Sequence, residues 1–300
     1  MHNLNICKIY MLHRVFPFEN NKLFPNENMK ITPEFLEKFI IDAKEKGYEF
    51  ISMDELSQIL KYKTTVSKKI VMTLDDGYKD NYTHAYPIFK KYNVPFLIYI
   101  TTKFPDKKAI LWWYNLEELV ICNNEISLNN SSYFKCFSEE EKINTFMKIR
   151  EIIMNLDQKN LYDELNNLFN LYSIDWYKYS KLLTLDWNEI LELSNDSLCT
   201  IGGHTVNHFV LSKLNKDEII NEINLANKTI TNFIKKDVKH FAYPFGDKNS
   251  CGKKEFDVVK ELKLLTATTT ISGHARHGEN IYELRRLMLC EGNYIENTNS

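Results

Sequence analysis

The sequence predicts an α/β protein whose parallel sheet is closed or wound between helices. Short apolar runs alternate with amphipathic stretches along the 300-residue chain, a pattern typical of strands that are each followed by a helix. Charged residues make up 26% of the chain and hydrophobic residues 44%, which is close to the globular average and excludes wholesale disorder. A chain of this length can bury a large core without disulfides.

The predicted elements follow one another in order. The apolar runs predicted as strands are Cys7–Leu12, Phe50–Ser52, Lys69–Leu74, Phe96–Ile100, Leu198–Ile201, Val238–Ala242 and Leu265–Thr269. The stretches predicted as helices are Pro33–Lys46, Met53–Leu60, Asp80–Tyr92, Lys216–Ile234 and Lys253–Glu261. Thr32 is the expected N-cap of the first helix, because Pro33 occupies its first turn. The helix from Lys216 is amphipathic, so its charged face is expected to be solvated.

One long segment, Phe104–Leu185, interrupts this alternation. It contains Trp112 and Trp113 and two helix-like runs, Lys142–Asn155 and Leu161–Leu171. We therefore expect one domain over residues 1–300 that carries an inserted helical subdomain at 104–185. The two tryptophans either stack on a sugar ring or belong to the core of the subdomain.

Charge and targeting signals narrow the function classes. The 38 basic and 40 acidic side chains give a net charge of −2, which argues against a nucleic-acid binder that works by bulk electrostatics. None of the six cysteines is spaced as CxxC, so a cysteine-based zinc knuckle is not expected. No signal-peptide core and no apolar run of membrane-spanning length occurs, which predicts a soluble, cytoplasmic protein.

Two polar motifs follow predicted strands, where barrel enzymes place their chemistry. The first is Asp75-Asp76-Gly77, two adjacent carboxylates that are costly to bury without positive neighbours. Its structural alternative is an Asx-type turn with a helix cap.

The second motif is His204-Thr205-Val206-Asn207-His208. If Thr205 opens a helical turn, both imidazoles project to one side, a spacing suited to a divalent metal. The alternative is two independent surface or capping histidines. Together, the two motifs supply one carboxylate and two imidazoles, which leave coordination positions open, and one spare carboxylate.

These residues resemble the polysaccharide deacetylases, carbohydrate esterase family 4, with its NodB-homology domain. TLDDG at 73–77 and HTVNH at 204–208 are similar to the first two signature motifs of the family. FAYPFG at 241–246 is similar to its Arg-x-Pro-Tyr segment, and the order and spacing of the three motifs agree. The resemblance covers most of the chain outside 104–185.

The resemblance implies a distorted (β/α)7 barrel that removes an N-acetyl group from an amino sugar with the help of a divalent metal. Asp75 is then the general base, and the backbone N–H of Phe245 stabilises the oxyanion. The implied metal ligands are Asp76, His204 and His208. The implied substrate and oxyanion segment is Tyr243, Pro244 and Phe245, with Trp112 and Trp113 as candidate sugar contacts.

Two departures from the family pattern move roles to other residues. Ala242 stands where many members carry the Arg that forms an ion pair with the general base, which is Asp75 here. Arg286 is the expected replacement for that Arg, and the alternative is that Arg286 lies on the surface. No late motif presents an acid His. The segment YMLHRV resembles a branch of the family whose first strand supplies it, so His13 is the expected general acid, with His274 and His277 as alternatives.

The expected activity is metal-dependent N-deacetylation of an amino sugar in a glycan or glycan precursor. Alternatives are hydrolysis of another non-peptide C–N bond, such as a cyclic amide, and a degenerate carbohydrate-binding domain. Zinc is the default metal for two His and one Asp, and cobalt, nickel or iron also fit. A cytoplasmic enzyme would act on an N-acetylated sugar or oligosaccharide precursor, peripheral to a surface-glycan assembly system.

Overall fold

A sheet of parallel strands forms the centre of the computed structural model, which describes residues 6–62, 67–129 and 131–291. The strands are β1 (Ile6–Leu12), β2 (Arg14–Val15), β3 (Lys30–Ile31), β4 (Glu49–Phe50), β5 (Lys69–Leu74), β6 (Phe96–Ile100), β7 (Glu125–Ser127), β8 (Tyr133–Lys135), β9 (Cys199–Gly203), β10 (His240–Ala242), β11 (Thr266–Ser272), β12 (Ala275–Arg276) and β13 (Leu284–Met288).

Helices connect these strands and cover the sheet. The α-helices are α1 (Phe24–Glu27), α2 (Pro33–Glu45), α3 (Met53–Tyr62), α4 (Tyr86–Lys91), α5 (Trp112–Cys122), α6 (Glu139–Met154), α7 (Leu161–Leu168), α8 (Lys178–Leu183), α9 (Trp187–Asn195), α10 (Lys216–Ile234) and α11 (Lys253–Glu261). The Thr32 hydroxyl accepts from the Phe35 amide, so the predicted N-cap of α2 is confirmed.

Seven of the strands close into a parallel barrel. The circuit runs β1–β5–β6–β9–β10–β11–β13 and returns to β1, with every neighbouring pair parallel. β4 pairs in parallel with Lys69 and Ile70 of β5, ahead of the residues of β5 that pair with β6. The short β12 pairs antiparallel with the start of β1. The predicted (β/α)7 barrel is thereby confirmed.

Strand composition explains why the barrel is packed rather than hollow. β1, β5 and β6 are apolar at almost every position and buried on both faces, as expected where helices cover a parallel sheet. Phe39, Phe89 and Ile230 pack from the helices against this inner layer. Burial of such side chains contributes roughly 1.5–3 kcal/mol each.

The chain between β6 and β9 builds a second apolar cluster. Helices α5 to α8 and the hairpin β7–β8 lie in this segment, and Trp112, Phe146 and Trp176 are among the buried residues of its core. Leu23, from the loop before α1, joins the same cluster, which ties that loop to the segment.

One predicted helix contains a π-helical turn. The helix predicted over Asp80–Tyr92 is confirmed, because residues 79–91 are helical without a break, with a π-helical turn over Asn81–Ala85 followed by α4. Pro87 in the first turn of α4 has no amide hydrogen to donate to the preceding turn, which accounts for the local change in hydrogen bonding. Within the described ranges, no helix combines the length and apolar character needed to cross a bilayer.

Candidate active site

The register of the barrel brings the predicted site residues to one end of the strands. Leu12 of β1 pairs with Leu74 of β5, so His13 and Asp75 follow at the same level, and the Asp75 amide donates to the Leu12 carbonyl. His204 comes directly after β9, and its amide donates to the carbonyl of Ile100, the last residue of β6. Carboxyl ends of parallel strands therefore carry the site, as in other barrel enzymes.

Three of these side chains converge on one point. The Nε2 atoms of His204 and His208 each lie 3.2 Å from Oδ1 of Asp76. Asp76 and His204 are buried, and His208 is nearly so. Burial by itself raises the pKa of the Asp76 carboxyl, but the two imidazoles outweigh it and hold that pKa well below its usual value.

The donor set fits a divalent metal. Nδ1–H of His204 donates to the Ala242 carbonyl at 2.7 Å, which fixes the tautomer and leaves the Nε2 lone pair facing Asp76. Oδ1 of Asp76 is buried and makes no hydrogen bond of regular geometry. Two oxygen or nitrogen ligands of a tetrahedral zinc are about 3.4 Å apart, close to the separations seen here.

The loop 204–208 is irregular, so the predicted helical turn at Thr205 is wrong. Thr205 and His208 both have positive φ angles, 67° and 59°. The Thr205 hydroxyl accepts from the His208 amide at 3.0 Å, which folds the loop back on itself and still brings the two imidazoles together. Asp76 also has a positive φ, 76°, and such conformations cost roughly 1–3 kcal/mol each.

Glu222 of α10 holds the loop 204–208 in place through hydrogen bonds. Its carboxylate accepts from the amides of Val206 and Asn207 at 3.1 and 2.9 Å and from the Asn207 side chain. The pKa of Glu222 is raised, because burial outweighs these hydrogen bonds. Glu222 therefore holds the backbone between the two histidines.

Asp75 is separate from this cluster and is held by Arg286. The guanidinium donates both Nη groups to the two carboxylate oxygens at 2.7 Å, and its Nε donates to the Thr269 carbonyl. Arg286 is fully buried, which excludes the surface alternative. Burial raises the pKa of Asp75, but Arg286 outweighs it and lowers that pKa, so the carboxylate stays ionised.

His13 faces the same cavity, and two side chains from the start of the helix after β5 hold the backbone around it. The Asn81 side chain donates to the His13 carbonyl at 2.9 Å. Asp80 accepts from the Val15 amide at 3.0 Å and from Arg14 Nε at 2.7 Å. The Nδ1 atom of His13 is buried and has no hydrogen-bond partner among the described residues.

The alternative histidines lie elsewhere. Neither His274 nor His277 lines the cavity that contains Asp75 and Asp76. The pKa of His274 is lowered, first by burial and then by the positive charges of Lys8 and Arg276. These two histidines therefore stand apart from the convergent groups.

The predicted substrate segment is only partly at the site. Phe245 lines the cavity with a φ of 60°, and its ring centroid lies 4.8 Å from that of His208. Thr270 fixes the turn by donating its hydroxyl to the Phe245 carbonyl at 2.7 Å. Tyr243 and Pro244 are buried and do not line the cavity, and the Tyr243 hydroxyl donates to the Tyr282 carbonyl.

A cavity of about 560 Å³ opens above the convergent groups, within the size range of small-molecule sites. Trp112 and Trp113 both line it. Trp112 is buried in the second apolar cluster, whereas Trp113 is half-buried and donates its indole N–H to the Tyr78 hydroxyl at 3.1 Å. Trp112 thus belongs to the core of this cluster, as one alternative predicted, and the position of both tryptophans at the cavity leaves contact with a sugar as a prediction.

Three supporting residues were missed in the sequence. Asp80 and Asn81 follow Asp75 and Asp76, respectively, by five residues. A single sequence does not reveal that their side chains bind the backbone that follows the first strand. Glu222 follows Ile219 by three residues and precedes Ala226 by four, so helical spacing places it on the apolar face of α10. A carboxylate on the apolar face of a helix indicates that it has a buried partner. The charged face of this helix was expected to be solvated, and Glu222 is the exception, because it binds the loop between the two histidines.

Known proteins share this fold and these motifs. A family model described as Polysaccharide deacetylase matches residues 62–266. YxkH of Bacillus subtilis (strain 168), which is assigned to the polysaccharide deacetylases, is 40% identical over 76 residues, 25% of this chain and 27% of that protein. The match thus spans about a quarter of the length of this relative.

Solved structures extend the likeness in fold to nearly the whole chain. The deacetylase PplD of Streptococcus pyogenes, solved with acetate, aligns with a TM-score of 0.64 at 17% identity over 98% of this chain and 96% of its own. IcaB from Ammonifex degensii gives a TM-score of 0.63 at 14% identity, over 97% and 95%. A de-N-acetylase from Aggregatibacter actinomycetemcomitans gives 0.62 at 18% identity, over 97% and 98%.

The family model covers more than two thirds of the chain, and its range contains the loops that carry Asp75, Asp76, His204 and His208. The barrel and the strand-end position of these residues agree with that match. The chain therefore belongs to the polysaccharide deacetylase family.

Proposed function

We propose that the protein is a metal-dependent N-deacetylase that releases acetate from an N-acetylated amino sugar in a glycan or glycan precursor. The observation that carries this proposal is the separation of two carboxylates in one cavity. Asp76 points at two imidazoles, whereas Asp75 is tied to Arg286 and remains free to accept a proton.

In this proposal, Asp76, His204 and His208 hold a divalent ion, with zinc as the first choice and cobalt, nickel or iron as substitutes. When bound, the ion supplies Lewis-acid polarisation of the acetamide carbonyl and makes water a better nucleophile at neutral pH. The segment 104–185, which we propose as an inserted subdomain, contributes Trp112 and Trp113 to the cavity as sugar contacts.

The protein side chains move the protons. Asp75 takes a proton from the attacking water, and Arg286 keeps the carboxylate ionised and aimed into the cavity. No hydrogen bond from the Phe245 amide is found within the described residues, so this N–H is available to the oxyanion. His13 donates a proton to the departing amine, and the C–N bond breaks to give acetate and a free amino sugar.

Acetate release tests the proposal. The protein is loaded with zinc or cobalt and incubated with N,N′-diacetylchitobiose and longer acetylated chitooligosaccharides, and acetate is measured. His204→Ala is the matched control, since it should lose both bound metal, counted by elemental analysis, and acetate release. Release that is unchanged in this variant would contradict the assigned ligands.

The alternative functions predict different results. A degenerate carbohydrate-binding domain would bind the oligosaccharide and release no acetate at full metal occupancy. A hydrolase of another C–N bond would open a cyclic amide, such as a hydantoin, with the same metal loading. The convergent triad and the ionised Asp75 beside it favour deacetylation over a binding domain, since binding alone requires neither.

A further inference from the structure

One wall of the cavity comes from helix α6. Ile143, Phe146, Met147 and Arg150 all line the cavity, and their spacing of three and four residues places them on one face of the helix. The first three are apolar, so Arg150 is the charged residue that α6 presents to the cavity. The catalytic groups come from the strand ends, on a different wall.

The other formally charged side chains around this cavity have partners. Asp75 is paired with Arg286 at 2.7 Å, and Arg14 is paired with Asp80 at 2.7 Å. Asp76 lies between two imidazoles. Within residues 6–62, 67–129 and 131–291, no ion pair or hydrogen bond involves the half-buried Arg150.

An unpaired arginine beside apolar side chains is well suited to bind an anion. The residues one turn before and after it on the helix are apolar and offer no side-chain acceptor: Phe146, Met147, Ile153 and Met154. A half-buried guanidinium is also partly stripped of water. The planar guanidinium matches carboxylate and phosphate oxygens in a bidentate manner, and such charge-assisted bonds are stronger than neutral ones.

We infer that Arg150 binds an anionic group of the substrate, a carboxylate or a phosphate, while the acetamide lies at the Asp76 cluster. This inference rests on the proposed function, because it assumes that the same cavity binds the sugar. It assigns the substrate to anionic glycans: those that contain a uronic acid, or those that carry a phosphate ester or a phosphate-linked carrier.

Binding of sugars without an acetamide tests the inference independently of turnover. Cellobiose, cellobiose 1-phosphate and cellobiouronic acid are titrated into the metal-loaded full chain by calorimetry. We expect one of the two anionic disaccharides to bind on the order of tenfold more tightly than cellobiose, the size of one charge-assisted contact. Which of the two binds more tightly distinguishes phosphate from carboxylate.

Substitutions on α6 identify the group responsible. In Arg150→Gln the ratio of anionic to neutral affinity should fall to about one, and in Arg150→Lys it should be intermediate, because the charge remains but the planar fork is lost. Lys148→Gln is the matched control, since Lys148 lies on the same helix, is exposed and does not line the cavity. Thermal unfolding confirms that each variant is folded.

The outcomes separate the two proposals. Three results would overturn the anion site. The wild type could bind the three sugars equally, or it could bind neither anionic disaccharide. The ratio of anionic to neutral affinity could also remain as high in Arg150→Gln as in the wild type. If the ratio depends on Arg150 but no acetate is released from neutral or from anionic N-acetylated oligosaccharides, the anion site stands and the deacetylase assignment fails. A further measurement of kcat/KM on neutral and anionic acetylated substrates should show the same dependence on Arg150.

Discussion

The two adjacent aspartates have opposite surroundings, and this difference separates their proposed roles. Asp76 is oriented toward two imidazoles, and its backbone has a positive φ. Asp75 is turned the other way, into a bidentate pair with Arg286. Two carboxylates next to each other in sequence can therefore act as ligand and base, because each has its own compensating group.

Asp75→Asn separates the base from the ligands. We expect this variant to retain its bound metal and to lose roughly 10²-fold or more in kcat, the usual size of general-base catalysis. Because Arg286 would then be a buried charge without its partner, the free energy of unfolding should also fall, by about 3 kcal/mol. Elemental analysis, acetate release and thermal unfolding measure the three effects; normal turnover with normal metal content would remove Asp75 from the mechanism.

His13 is tested against the two late histidines. His13→Asn should fold and bind metal normally, lose most of its kcat, and lose the alkaline limb of its pH–rate profile, since that limb reports the loss of the acid's proton. His274→Asn and His277→Asn should keep the wild-type profile, because neither side chain lines the cavity. The opposite pattern would transfer the acid role to the late loop.

At the scale of elements, helices and loops outside the strands hold the reactive side chains in place. Asp80 and Asn81, at the start of the helix after β5, bind the backbone that follows β1. Glu222 on α10 binds the loop after β9. Each reactive group is thus fixed by a neighbouring connection rather than by its own strand alone.

Glu222→Ala should weaken metal binding without removing a ligand. The loop with positive φ at Thr205 and His208 loses its external acceptor, so the two imidazoles are less well positioned. Supporting partners of this kind contribute roughly 10–100-fold to metal affinity. Asn224→Ala, on the exposed side of the same helix, is the control. Competition with a chelator measures the affinity, and equal values for the two variants would contradict this positioning role.

At the scale of the whole molecule, a metal at this site would link two parts of the barrel. Asp76 follows β5, and both histidines follow β9, so one ion would join connections that are separated by β6. Ligand binding to the folded state alone raises stability, by about 2.7 kcal/mol when the free ligand is 100-fold above its Kd.

Removal of metal should therefore lower the Tm. We expect treatment with EDTA to reduce the Tm of the wild type by several degrees and readdition of zinc or cobalt to restore it. His208→Ala should show neither change, because one ligand is missing. Scanning calorimetry at fixed protein concentration measures the shift, and a wild-type Tm that does not respond to either treatment would argue against a metal that stabilises the fold.

The sequence was most informative where local chemistry decides the structure. β5, β6, α10 and α11 have the predicted bounds, because apolar periodicity and breaker residues determine them locally. The positive φ angles at Thr205 and His208 were not predicted, since tertiary contacts impose them on ordinary residues. Asp80 and Glu222 were missed for the related reason that a charged side chain on a helix is usually solvated, and only long-range packing shows otherwise.

The pairing of Asp75 with Arg286 joins positions 211 residues apart, and Arg286 lies later in the chain than every other residue of the proposed site. Because a protein is synthesised from its N terminus to its C terminus, β13 is also the last barrel strand to leave the ribosome. Until that moment the nascent chain has neither a closed barrel nor a counter-ion for its buried aspartate. A chain that stops before Arg286 would lack both features, so the proposed activity requires synthesis of the final strand.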